Sequence, residues 1–511
     1  MAETKREIER KYEATPGTGL PDLTRAPGVF AVLDRGVTEL DAVYYDTPGL
    51  LLAADSLTLR RRTGGEDAGW HLKFPVASGI RDEIRAPLAD TLPRTLAKLL
   101  RSRVRDEQVV PVVRLRSARD VHHLLDASGT LLAELSVDTV RAERLGAGGT
   151  GETTWTEIEV ELADDADPAV LDAVEKRLKK AGVHPSESAS KLARALAETG
   201  GGPPTPSGPP TDGAPDGTTA AGRILAYARE QRDALVALDP AVRRDLPDAV
   251  HQMRVATRRL RSALKSYRKV LDRRFTDPLG DELKWLAGEL GVARDQEVLA
   301  ARLRARVDEL PRTLVLGPVA ARLRIRNAQS AATARDRVLT ALDSARHLAL
   351  LTALDALLAD PPLRKAAHRD AGPVLAAAVR KDHARLSARA EHALALPAGH
   401  DRDLAMHEAR KAAKRARYAA EAATPALGKP AKKFAKRVKA VQSLLGEHQD
   451  GVVARDALRT LAVQAHAAGE SAFTWGLLYG REEADCAARE REFPQVWAKA
   501  SRPGPGARGT R

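Results

Sequence analysis

The chain has 511 residues, 43% of them hydrophobic, which suffices for two or three domains with ordinary cores. Its single cysteine, Cys486, excludes an intrachain disulfide and a cysteine-based metal site, and predicts a reducing, cytoplasmic setting. The net charge of +13 is uneven: residues 1–200 hold 28 Lys and Arg against 33 Asp and Glu, and residues 201–511 hold 54 against 36, so the second part predicts a polyanionic partner.

The opening MAETKREIER is charged throughout and has no apolar core of a signal peptide. No later run offers 18 uncharged apolar residues, so neither export nor a membrane span is expected. The first 199 residues read as short strands separated by Gly, Pro and Asp clusters: EIERKYEA, DAVYYDT, SLTLRRR, WHLKFP, IRDEIRA, VPVVRLR, LLAELSVDTV and WTEIEVEL. Helical spacing fits Thr91–Arg103, Pro168–Ala181 and Ser188–Glu198, which gives an α+β unit dominated by antiparallel strands.

Alternation gathers charge on single strand faces. Glu7, Glu9, Lys11 and Glu13 share one face, Ser56, Thr58, Arg60 and Arg62 another, and Glu157, Glu159 and Glu161 a third. His71 with Lys73, and Arg81 with Glu83 and Arg85, repeat the pattern. If the sheet closes, these faces either all point outward or line a lumen together, and a lumen mixing carboxylates with Arg and Lys suits a metal–phosphate ligand.

The stretch Glu7-Ile8-Glu9-Arg10-Lys11 resembles the ExExK signature of the CYTH family, the triphosphate tunnel metalloenzymes. The resemblance continues through YYDTPGLLL, LTLRRR, WHLKFP, EIEVE and SKLARAL and covers about residues 3–199. It implies an eight-stranded antiparallel tunnel that binds Mg²⁺ or Mn²⁺ and a triphosphate. By position, Glu7, Glu9, Glu157, Glu159 and Glu161 would hold metal, and Lys11, Arg60, Arg62, Lys73, Arg81 and Lys191 would grip phosphate, with Glu7, Glu9 and Lys11 catalytic. On the strand Val112–Asp120, three arginines compete. Arg119 has the opposite parity to Arg114 and Arg116, so without a bulge it cannot share their face, and Arg114 and Arg116 are the expected phosphate ligands.

Residues 200–219, rich in Gly, Pro, Ser and Thr, read as a linker that cannot bury a core. From 220 to 500 the pattern is helical and rich in Ala and Arg, with expected turns at Asp239-Pro240, Asp277-Pro278, Pro361-Pro362 and Pro397-Ala398-Gly399. In VHQMRVATRRLRSALKSYRKV, His251, Arg254, Arg258 and Arg261 stand at i, i+3, i+7 and i+10, one basic stripe beside the apolar stripe of Met253, Leu260 and Leu264. MHEARKAAKRARY repeats the spacing with His407, Arg410, Lys414 and Arg417. Cations stacked on one stripe repel each other, so two such stripes point to an anionic ligand.

A second echo keeps register: Leu290-Gly291-Val292-Ala293-Arg294-Asp295 matches Leu445-Gly446-Glu447-His448-Gln449-Asp450. This predicts a tandem duplication with halves near 222–370 and 371–500, the two Leu-Gly pairs as helix ends with Gly as C-cap, and Asp295 and Asp450 as caps or salt-bridge partners. Lys432, Lys433, Lys436 and Lys439 read as a solvated face, and residues 501–511 as a disordered tail.

VHQMRVATRRLRSAL resembles the most recognisable segment of the CHAD domain, the conserved-histidine α-helical domain, and the resemblance covers about 222–498. It implies two pseudo-symmetric helical bundles around a basic groove for inorganic polyphosphate. The combined expectation is a metal-dependent hydrolase of inorganic triphosphate or short-chain polyphosphate tethered to a polyphosphate binder, with polyphosphate granules as a further docking target. Adenylate cyclase chemistry on ATP and a non-catalytic granule-binding role are the alternatives. Nucleic acid is disfavoured, because the sequence has neither a helix-turn-helix nor aromatics interleaved with the basic residues.

Overall fold

The computed structural model describes residues 3–15, 17–65, 67–146, 151–200 and 216–502. Most of the expected linker and the tail from residue 503 lie outside the described residues. The chain forms two compact units, Met1–Gly208 and Pro209–Arg511. Among the described residues no helix is long and apolar enough to cross a membrane.

Among the described residues the first unit is built on nine antiparallel strands: β1 (Glu3–Ala14), β2 (Ala31–Asp46), β3 (Thr58–Thr63), β4 (Gly69–Ala77), β5 (Ile80–Pro87), β6 (Val110–Leu125), β7 (Leu131–Arg144), β8 (Glu152–Leu162) and the two-residue β9 (His184–Pro185). Their order is β5-β4-β3-β2-β6-β7-β8-β1-β9, and an additional β5–β1 pairing closes eight of them into a ring. Closure is staggered: Glu3–Ile8 pair with β5 and Glu9–Ala14 with β8. Strands β2 and β6 run well beyond the segments expected from alternation. A bulge between Asp34 and Val37 breaks the period of β2, so there the ladder and not the apolar pattern defines the strand.

The outward faces of the ring carry its apolar residues, and short helices cover them. Leu59, Leu72 and Ile84 pack with Leu52 of α1 (Leu51–Ala54) and with Leu96, Leu99 and Leu100 of α2 (Arg94–Val104). Leu135, Ile158 and Val160 pack under Val170, Leu171, Val174 and Leu178 of α3 (Ala169–Lys180). Each such side chain contributes about 1.5–3 kcal/mol when fully buried. This burial leaves the charged alternate positions to face the interior. At one end α4 (Lys191–Glu198) sets Leu192, Ala195 and Leu196 against inward-facing Ala42, Leu115, Val140 and Trp155.

The second unit is all helical: α5 (Ala220–Arg243), α6 (Ala249–Ser266), α7 (Arg273–Asp308), α8 (Val319–Asp343) and α9 (Ala345–Ala359), then α10 (Ala371–Ala395), α11 (His400–Leu427), α12 (Lys429–Ala467) and α13 (Phe473–Ala500). Its two halves meet through the two basic helices. Met253, Leu260 and Leu264 of α6 share one core with Ala409, Ala413, Ala416 and Ala420 of α11, whose small side chains permit close approach.

Several expected breaks are absent. Pro240 lies in the last turn of α5 and Pro278 in the second turn of α7; each forgoes one i→i−4 bond, and burial of Val236 and Val242, and of Leu279 and Leu283, holds the helices. Gly291 and Gly446 end no helix; they sit in the middle of α7 and α12. One glycine costs a helix about 1 kcal/mol. Burial of the flanking Leu286 and Leu290, and of Leu444 and Leu445, outweighs it.

Candidate functional site

Strand pairing places the charged faces of β1, β3, β4, β5 and β8 inside the ring, around a cavity of about 580 Å³. Glu7, Glu9, Lys11, Arg60, Arg62, Lys73, Arg81, Glu159, Glu161 and Lys191 all line it. Registered neighbours share a face, so Glu9 lies beside Glu161, Lys11 beside Glu159, Glu7 beside Arg81 and Lys73 beside Glu83.

The deepest group is acidic. Carboxylate oxygens of Asp138, Glu157 and Glu159 lie within 4.8 Å of one another. Lys191 Nζ stands 2.9, 2.6 and 2.7 Å from these three side chains respectively. This lysine opens α4, whose N-cap Ser190 accepts the Ala193 N–H, so the cap fixes where the lysine enters. Glu83 is fully buried: His71 Nδ1 lies 2.9 Å away, Lys73 Nζ 3.6 Å, Arg60 3.7 Å, and Arg85 also pairs with it.

The arginine assignment on β6 is corrected. Arg119 donates to Asp138 at 2.7 Å and to Glu159 at 2.9 Å within the cavity wall. Arg114 and Arg116 line no part of the cavity. Arg114 pairs with Asp41 at 2.5 Å on the outer face, and Arg116 is half exposed, 3.8 Å from the same carboxylate. The parity argument holds, since pairing with β7 runs unbroken from Val113 to Leu124. The inward parity is that of Arg119, because it lies opposite Asp138, which in turn lies opposite Glu157.

In the helical unit the two basic stripes lie near enough for Arg254 and Arg258 of α6 and Arg410 and Lys414 of α11 to act on one another's charge, with Arg417 also acting on Arg258 and His251 flanked by Arg254 and Arg258. Asp295 binds Arg254 at 2.8 Å, and Asp450 stands 3.6 Å from Arg410. Gly291 and Gly446 lie beneath these guanidiniums; a Cβ there would sit 3.4 Å from Arg254 and 3.5 Å from Arg410. The echo between halves is therefore one repeated unit of arginine, glycine and aspartate. Arg261 instead donates to the Gly280 carbonyl at 3.2 Å, and Arg417 leans on Glu421 at 3.5 Å and on the Tyr418 ring. His251 is partly buried on the same stripe, and His407 Nδ1 lies 2.6 Å from the Gln449 side-chain oxygen.

Comparison with known proteins identifies both units. The CYTH domain family matches residues 5–196 and the CHAD domain family residues 226–459. The uncharacterized protein Rv2226 of Mycobacterium tuberculosis is 40% identical over 501 residues, 95% of this chain and 94% of that one. This chain belongs to the family that joins a CYTH domain to a CHAD domain. The thiamine-triphosphatase of Homo sapiens is 39% identical over 106 residues, 20% of this chain and 43% of the human one. A crystal structure of the CHAD domain from the plant Ricinus communis covers 57% of this chain and 95% of its own, at 27% identity and a TM-score of 0.45.

The electrostatics of the two domains differ in kind. In the CYTH domain, burial presses Glu9 and Glu159 toward neutrality, but adjacent cations prevail and hold both carboxyls below the usual range. For Glu9 these are Lys11, Lys73 and Arg81; for Glu159, Lys11, Lys191 and Arg119. Burial wins at Glu7, whose carboxyl is raised despite Lys73. In the CHAD domain the basic stripes are only partly compensated, by Asp295 and Asp450. Burial, then Arg258, Arg410 and Arg254, push the Lys414 ammonium down to about 6. Burial likewise pushes the His251 and His407 imidazoles below their ordinary value.

Sequence reasoning missed Asp138 as a tunnel group, although Glu134, Ser136 and Asp138 alternate along β7 and carried the signal. His71 and Glu83 were placed on charged faces without a role, and they form the buried pair beside Arg60 and Lys73. Lys432, Lys433, Lys436 and Lys439 are exposed along α12.

Proposed function

We propose that the CYTH domain hydrolyses inorganic triphosphate or short-chain polyphosphate with Mg²⁺ or Mn²⁺, and that the CHAD domain holds polyphosphate. The observation carrying this reading is the closed ring whose interior sets an acidic group, Asp138, Glu157 and Glu159, against a basic wall of Arg60, Arg62 and Lys73. Similarity to a thiamine-triphosphatase supports a triphosphate substrate over about a fifth of the chain.

The donor set fits the metal. Asp138, Glu157 and Glu159 offer only carboxylate oxygens within 4.8 Å of one another, the ligand type that hard divalent cations select. Glu7, Glu9 and Glu161 line the cavity together with Glu159, whereas Asp138 and Glu157 are buried and outside its lining; the six are the candidate ligands. When bound, such a cation supplies charge neutralisation at phosphate oxygens and a more acidic bound water.

The chain's own residues then bind and orient. Lys11, Arg60, Arg62, Lys73, Arg81 and Arg119 are fixed cations for the phosphate oxygens, where in-line attack on a terminal phosphorus places growing negative charge. Lys191 now neutralises the acidic group. It touches all three of these candidate metal donors, placed to couple their charge to the substrate's. The Glu83 and His71 pair holds Lys73 and Arg60 in position, as a buried anion that they cannot leave without a desolvation cost.

The test is a phosphate-release screen over inorganic triphosphate, short-chain polyphosphate, ATP and thiamine triphosphate with Mg²⁺ and Mn²⁺, with cyclic AMP measured in parallel. Orthophosphate from inorganic triphosphate is expected. Cyclic AMP as the main product from ATP would contradict the proposal.

Two further results are expected. Arg119→Ala should lower triphosphate turnover by at least about tenfold, since a charge-assisted contact contributes roughly 1.5–3 kcal/mol. Arg114→Ala and Arg116→Ala should stay within about twofold of the parent; the reverse ranking would return β6 to the opposite face.

The second concerns pH and polyphosphate binding. Free Lys414 titrates near 6, and a bound anion favours its charged form, so binding takes up a proton above that pH. Affinity should therefore rise as pH falls from about 8 toward 6, by up to about tenfold per unit for one proton. Lys414→Met should flatten that slope in a direct titration; an unchanged slope would remove Lys414 from the groove.

A further inference from the structure

A second polar cluster lies in the helical unit among three helices, and neither the tunnel nor the basic stripes use it. Asp403 of α11, His448 of α12 and Glu490 of α13 bring one donor atom each within 4.8 Å of one another. The histidine is 1% exposed, and among the described residues its Nε2 makes no hydrogen bond. That nitrogen stands 3.2 Å from Asp403 Oδ1 and 3.5 Å from Glu490 Oε1 without being aligned on either. Donor separations of this size are what two bonds of about 2.0–2.1 Å to one shared centre produce.

The surroundings favour that arrangement over a simple ion pair. Each carboxylate gives one oxygen to an arginine and turns the other toward His448. Arg455 takes Asp403 Oδ2 at 2.9 Å, and Arg402 takes Glu490 Oε2 at 3.3 Å. Outer partners that hold one oxygen and leave its twin free are the usual support of a metal-ligating carboxylate. The nearby thiol is not a donor: burial pushes Cys486 up to about 11, and its Sγ–H points to the His448 carbonyl at 3.6 Å. The first half of the domain has Ala293 where the echo has His448, so the cluster is not a by-product of the duplication.

We propose that Asp403, His448 and Glu490 bind a first-row divalent cation of borderline softness, Zn²⁺ foremost, which ties α11, α12 and α13 together. One imidazole nitrogen with two carboxylate oxygens matches the ligand preferences of zinc, whereas Mg²⁺ prefers all-oxygen shells with several waters.

The test uses the full chain, stripped with chelator and titrated calorimetrically with ZnCl₂ in excess Mg²⁺, which occupies all-oxygen sites. One equivalent of Mg²⁺-resistant Zn²⁺ binding is expected, with a higher melting temperature. His448→Gln and Asp403→Asn should each weaken it by at least about 100-fold, and Arg455→Gln, a positioning change, by about tenfold. Glu159→Gln in the tunnel should leave it unchanged. Zinc K-edge absorption of the unaltered chain reads the shell without any variant, and imidazole nitrogen with carboxylate oxygens is expected. Absence of Mg²⁺-resistant binding, binding that survives His448→Gln in folded protein, or an all-oxygen shell would each overturn the proposal.

Discussion

Glu159→Gln should lower orthophosphate release from inorganic triphosphate by at least about 100-fold while leaving the CYTH domain folded. The substitution removes one charge from the acidic group that the proposed metal needs, and metal-borne stabilisation of the transition state is worth several kcal/mol. Folding should survive because each cation that contacts Glu159 keeps another carboxylate. Lys191 retains Asp138 and Glu157, Arg119 retains Asp138, and Lys11 retains Glu9 at 3.4 Å. Glu7→Gln and Glu9→Gln should act in the same direction with a similar size. The check is steady-state release at saturating Mg²⁺, with circular dichroism and thermal melting of each variant. Near-full metal-dependent activity in all three would remove the tunnel from the chemistry.

The second large effect belongs to the helical domain. Neutralising Arg254 with Arg258, or Arg410 with Lys414, should each weaken long-chain polyphosphate binding by more than about tenfold. These residues of both halves act on one another's charge, so either pair removes two neighbouring cations. Charge-assisted contacts of roughly 1.5–3 kcal/mol each set the size, and binding should fall steeply with salt as counterions are released. Neutralising Arg261 with Arg417 should cost less. Those side chains are engaged by the Gly280 carbonyl and by Glu421 on neighbouring turns. Titration of the parent and the three double variants with polyphosphate, and with duplex DNA of matched charge, checks the ranking. Equal affinity for both polymers would make the basic stripes a generic polyanion surface.

Much of this site was legible because strands repeat with period two. Alternation alone put Glu7 with Glu9 and Lys11, Arg60 with Arg62, and Glu157 with Glu159 and Glu161 on common faces. Which face of a single strand points inward is not a property of that strand. Arg114 and Arg119 differ in parity, and only registration on β7, with Arg119 opposite Asp138, selects the inner one. The glycines show a similar limit in the helices. Gly291 and Gly446 match the signature of a helix end, and packing of the leucines around them carries α7 and α12 straight through. Local propensity there is outweighed by burial, and the glycine serves the arginine that lies over it. Asp403, His448 and Glu490 come from three helices, and no spacing rule links them.

Catalysis is proposed for the first unit and polyphosphate binding for the second. The direct measurement is triphosphate hydrolysis by residues 1–200 alone, beside polyphosphate binding by residues 220–511 alone. Each unit has its own core, so each fragment is expected to fold. The N-terminal fragment should release orthophosphate with a kcat/KM within about threefold of the intact chain, and the C-terminal fragment should bind polyphosphate without hydrolysing triphosphate. Triphosphate hydrolysis by the C-terminal fragment, or by the intact chain but not by a folded 1–200, would contradict the account.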